Sequence, residues 1–70
     1  MLLIDDNQIY IKDYKEILNL DQNMFYIQMN KYDLLVKGEK LEMLYYDHQE
    51  IRLNGQVKVI EYHENRVWFI

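Results

Sequence analysis

Five residue types are missing from this 70-residue chain: cysteine, serine, threonine, alanine and proline. Without cysteine there is no disulfide to staple a small fold and no thiolate zinc site. Without serine, threonine or cysteine, an acyl-enzyme on one of those side chains is excluded, and side-chain nucleophiles reduce to Tyr, Lys, Asp, Glu and His. The two glycines, Gly38 and Gly55, stand alone. Neither a phosphate-cradling loop nor a dinucleotide fingerprint can be built from them. Basic charge is also scarce: eight Lys and Arg against twelve Asp and Glu give a net charge of −4 and a pI near 4.9. The basic residues are scattered, which disfavours nucleic acid and anionic lipid as partners. No apolar run approaches the roughly 20 residues that a membrane-spanning helix requires. The opening Met1-Leu2-Leu3-Ile4 meets Asp5-Asp6 at once, too short for a secretory h-region and without a basic n-region, so a cytoplasmic protein is expected.

What remains is apolar and aromatic. Half of the chain is hydrophobic and seven residues are tyrosine. A chain this short makes a single domain, 1–70, that buries only about 60% of its unfolded surface. Its stability must come from packing of the apolar half, from homo-oligomerisation, or from both.

The apolar residues alternate. Gln8–Lys12, Met24–Met29 and Tyr32–Val36 each place every second side chain on one face, and Leu41-Met43-Tyr45, Ile51-Leu53, Val57-Val59 and Val67-Phe69 keep the period. Turn-type residues punctuate these runs at short intervals. The pattern predicts an all-β fold, a small antiparallel meander of about six to eight short strands curling into a barrel- or sandwich-like domain. Residues Asp13–Leu20 fit either a strand or a short helix, because Asp13 and Glu16 have capping-box spacing. Lys37-Gly38 and Asn54-Gly55 read as hairpin turns. An even loop at Gly38 pairs Val36 with Leu41. At Asn54-Gly55 a two-residue loop would put the flanking apolar faces on opposite sides, so an odd, bulged loop pairing Ile51 with Val57 is expected.

Taken in order, IYIKDYKEIL, FYIQM, DLLVKGEKLEMLYY and EIRLNGQVKVIEY resemble the YabP/YqfC family of bacterial sporulation proteins. The resemblance covers about residues 9–62. It rests on Asp13, Tyr14, Ile17 and Leu18, on the turn with Val36, Gly38 and Leu41, and on the turn with Leu53, Gly55, Val57 and Ile60. The resemblance implies an all-β domain from an endospore-forming bacterium, made in the mother cell and associated with the developing spore. It implies a structural or assembly role through protein–protein association, with no assigned enzymatic activity and no catalytic residues. The other reading is a general β-sheet adaptor or dimerisation module unrelated to sporulation.

Weighed one by one, the candidate sites favour binding over chemistry. In Asp47-His48 and His63-Glu64 the neighbours point to opposite faces of a strand, so neither pair chelates one ion, and Asp5-Asp6 lacks calcium-loop spacing. Glu39, Glu42, Asp47, Glu50 and Glu61 could supply an acid and a base, but nothing in so short a chain builds a pocket around them. No catalytic, cofactor-binding or metal site is therefore expected. The tyrosines are more informative. Tyr10, Tyr26, Tyr46 and Tyr62 fall on the nominal outer face, where they serve as cross-strand pairs or as a protein-binding surface. Aromatic platforms also bind single strands of nucleic acid, but the acidic balance speaks against that use. The apolar strand at 64–70, with Trp68, Phe69 and Ile70, either closes the domain's own sheet or meets a second copy.

Overall fold

The computed structural model describes residues 1–64. They form six strands: β1 Leu2–Asp5, β2 Gln8–Lys12, β3 Glu16–Leu20, β4 Met24–Gln28, β5 Tyr32–Tyr46 and β6 Glu50–Glu64. All pairings are antiparallel, in one sheet of order β1-β2-β6-β5-β4-β3. The fold is all-β, as the alternation predicts, and the ambiguous Asp13–Leu20 segment resolves into a short link and strand β3. The order differs from a simple meander, since β1–β2 and β3 to β6 run as neighbours in sequence but β2 lies beside β6 rather than β3. The sheet stays open rather than closing into a barrel.

Aspartates close the β3–β4 and β5–β6 turns. Asp21 Oδ1 accepts bonds from the N–H groups of Asn23 and Met24 (2.8 and 2.7 Å), and Asp47 Oδ1 does the same for Gln49 and Glu50 (2.8 Å each). In both turns the aspartate N–H also donates to the carbonyl three residues on, closing it. These are side-chain mimics of a backbone turn, which is why Asp rather than Gly occupies them. Between β1 and β2, Asp6 takes a left-handed φ of 53°, a conformation that Asp tolerates better than most residues.

Neither glycine sits in a hairpin turn, and here the sequence reading is corrected. The segments around Gly38 and Gly55 are the two 15-residue strands β5 and β6, joined at Asp47-His48-Gln49-Glu50 and paired with each other. Val36 lies opposite Ile60 rather than Leu41, and Ile51 opposite Tyr46 rather than Val57. The register slips between Lys37 and Gly38, between Glu39 and Glu42, and between Met43 and Tyr45. At the central slip Lys40 and Leu41 face Gly55 alone, with Lys40 at φ 54° and Gly55 at φ 142°. A bulge shifts alternation by one residue just as an odd loop does, so the two produce the same parity in sequence. Asn54, expected in a turn, is a strand residue between Gln8 and Glu42.

The bulges bend the long pair into two layers. On one side of the bend, residues 32–39 of β5 carry β4 and β3. On the other, residues 50–54 of β6 carry β2 and β1. The inward rows of both layers meet in one core: Ile9 and Ile11 from β2, Phe25 and Ile27 from β4, Leu34 and Val36 from β5, Ile51 and Leu53 from β6, with Leu41 at the bend. Each such side chain contributes about 1.5–3 kcal/mol when fully buried. The turns lock the bend from outside, with the N–H groups of Gly38 and Leu41 donating to the carbonyls of Asn23 and Gln22, and that of Gly55 to Asn7.

Candidate interaction surface

The four tyrosines expected on the outer face divide into two pairs. Tyr10 shares a row with Leu3, Arg52 and Tyr45, and Tyr26 shares one with Leu35 and Glu61; both rows face outward. Tyr46 and Tyr62 lie instead opposite the core residues Ile51 and Leu34. They belong to inward rows, yet they are 62% and 58% exposed, because they stand where the two layers stop covering each other. Trp68, Phe69 and Ile70, and with them the apolar strand expected at 64–70, lie outside the described residues apart from Glu64.

The outward rows are held by polar contacts. The Arg52 guanidinium lies 5.8 Å from the Tyr10 ring centre and 5.2 Å from that of Tyr45, and its Nε is 3.1 Å from Glu50 Oε1. On the other layer Tyr26 donates to Asp33 (3.1 Å) and Lys37 Nζ lies 3.0 Å from Glu61. Tyr14 bridges the layers by donating to the Asp47 carbonyl, and burial pushes its phenol above the ordinary range. Of the five carboxylates weighed for acid–base work, three are therefore engaged in structural contacts: Asp47 in a turn, Glu50 with Arg52 and Glu61 with Lys37. Among the described residues no group of three or more His, Asp and Glu could hold a metal ion.

Asp47 is the busiest of these groups. Hydrogen bonds from the Tyr45 hydroxyl (2.7 Å) and the Gln49 N–H hold its carboxyl below the usual range, and the same Tyr45 bond pushes the phenol up. A lowered carboxyl contributes stability that is complete above its unfolded pKa and is lost as pH falls through the folded one. A raised phenol contributes stability that is complete below its unfolded pKa and is lost as pH rises through the folded one. Melting temperature followed against pH is therefore expected to show a plateau with an acid and an alkaline limb. Asp47→Asn is expected to lower the plateau and to flatten both limbs together, since one contact feeds both. A variant that flattens the acid limb alone would show that Tyr45 does not depend on the Asp47 charge.

The apolar surface of the described residues is confined to strand edges. Among the described residues, one flank of the β5–β6 pair ends in two edges without a neighbouring strand, β3 and residues 41–46 of β5. The other flank ends in β1 and residues 56–64 of β6. Among the described residues, every large apolar or aromatic side chain that is exposed lies on or directly beside one of these four edges: Leu18 and Leu20, Leu44 to Tyr46, Met1 with Leu3 and Ile4, and Val59 with Tyr62. Soluble proteins ordinarily blunt such edges with charge. The sequence reading missed β1 and β3 as part of this surface. The signal was Leu2-Leu3-Ile4, three apolar residues in succession, which a strand cannot place on one face.

No helix among the described residues is long and apolar enough to cross a membrane. A search of curated proteins finds no match. The model of the YabP family matches residues 1–67, which takes in all six strands and extends past both ends of the segment that carries the sequence resemblance. The chain belongs to the YabP family, a membership that suggests a sporulation protein and places it in a family not known for enzymes.

Proposed function

We propose that the chain is a non-catalytic structural or assembly protein of endospore formation, acting on the mother-cell side of the developing spore through protein–protein association. Family membership supports the sporulation setting. The observation that carries the mode of action is that, among the described residues, exposed apolar side chains are confined to strand edges without a neighbouring strand, which suits strand addition by a partner, where main-chain bonds give affinity and alternate side chains give specificity. The absence of serine, threonine and cysteine from the chain rules out their acyl-enzymes, and the family is not known for enzymes.

A fluorescent fusion followed through sporulation tests the setting. Signal is expected only after sporulation begins, gathered at the forming spore. A fusion expressed and diffuse in vegetative cells would overturn the sporulation role and leave a general β-sheet adaptor or dimerisation module.

A further inference from the structure

We infer that the partner at these edges is a second copy of this chain, joined head to tail so that both layers of the sheet continue from one molecule into the next. The inference rests on the association reading above and names its partner.

Each layer has four strands, with β3, β4 and residues 32–39 of β5 beside residues 56–64 of β6 in one, and β1, β2 and residues 50–54 of β6 beside residues 41–46 of β5 in the other. An even number of antiparallel strands gives the two edges of a layer opposite directions. A copy displaced sideways therefore presents β3 antiparallel to β6 of its neighbour, and β5 antiparallel to β1. Both junctions have the geometry of an ordinary antiparallel ladder.

The side chains match at zero stagger. The rows of the first layer place Leu20 level with Ile60, Ile17 level with Tyr62, Asn19 level with Glu61 and Glu16 level with His63. Apolar residues thus meet apolar residues, and Glu16 meets a histidine. Asp21, which follows β3, comes level with Val59, next to Lys58 at the register slip of β6. In the second layer Leu3 levels with Tyr45, Leu2 with Tyr46 and Ile4 with Met43. The one like-charge meeting, Asp5 with Glu42, has Lys40 two residues along β5. Opposite charges and apolar pairs across strands stabilise such a contact, whereas like charges disfavour it. Because the two surfaces differ, the contact is heterologous and builds an open chain of molecules rather than a closed dimer.

The lack of native cysteine makes the test clean. Asn19 and Glu61 lie in one row at opposite edges of a layer, three strand spacings or about 14 Å apart within a molecule, and a disulfide needs Cα atoms within about 7 Å. The double variant Asn19→Cys/Glu61→Cys can therefore bridge only between molecules. Under mild oxidation it is expected to give a ladder of covalent multimers, while each single variant gives none. Sedimentation of the unmodified chain is expected to show species that grow with concentration. Dimers from Glu61→Cys alone, or from Asn19→Cys alone, would replace the head-to-tail contact with a two-fold one and overturn the proposal. A ladder only from a chain ending at Asn65 would overturn it as well, because the edge would then be covered by the chain's own last residues. So would a full chain that stays monomeric and unbridged. A monomer that still gathers at the forming spore would leave the sporulation role standing, so the two readings fail separately.

Discussion

Gly38→Ala is expected to remove most of the protein's stability at room temperature. A Cβ at Gly38 would lie 2.1 Å from the carbonyl oxygen of Gln56 and 3.0 Å from its carbon, both in the backbone of the strand that β5 pairs with. No rotamer relieves a clash with backbone, so β5 and β6 must separate at the place where they bend. Overpacking of this kind costs about 1–3 kcal/mol or more. A domain of this size has only about 3–5 kcal/mol in hand. Gly55→Ala combines a left-handed φ of 142° with approaches of 2.8 Å to the Lys40 carbonyl oxygen and 2.9 Å to Leu41 Cα, and is expected to be as damaging. Urea titration followed by circular dichroism measures both. A Gly38→Ala variant within 0.5 kcal/mol of the parent would show that the bend does not depend on the close approach there.

The glycines also show what the sequence could and could not disclose. Gln8–Lys12 and Met24–Met29 are legible because alternation survives wherever one face is buried. Asn54-Gly55 is legible as an irregularity, since the apolar parity changes across it. Whether the chain reverses there or only bends depends on which strand lies opposite, and that is a tertiary fact. The reversal at Asp47 was one turn signal among several of equal strength. What singles it out is the pairing of Tyr46 with Ile51 and of β6 with β5 from there to Glu64, apart from the slips at Gly55 and Lys58. The tyrosines follow the same division. Tyr10 and Tyr26 were placed by parity within short strands. Tyr46 and Tyr62 were misplaced because each lies beyond a bulge that the sequence does not mark.

Neighbouring leucines in β5 separate the two faces energetically. Leu34 is fully buried in the core, between Ile27 and Tyr62 in its row, while Leu35 is 9% exposed on the outward face, between Tyr26 and Glu61. Leu34→Ala removes atoms that are enclosed by both layers, and the cavity cannot collapse without moving strands; the expected cost is about 2–5 kcal/mol, enough to leave little folded protein. Leu35 is flanked by polar contacts, Tyr26 with Asp33 and Lys37 with Glu61, whose side chains are long enough to settle into the space that Ala would leave. Leu35→Ala is therefore expected to cost about 1–2 kcal/mol and to remain folded. The comparison is made by urea unfolding of the two variants at equal protein concentration. Equal losses would mean that the outward contacts are rigid and that this face is a second core. The same pair measured across a range of protein concentration separates folding from association: strand-edge assembly would stabilise both variants as concentration rises, whereas packing within one chain is indifferent to it.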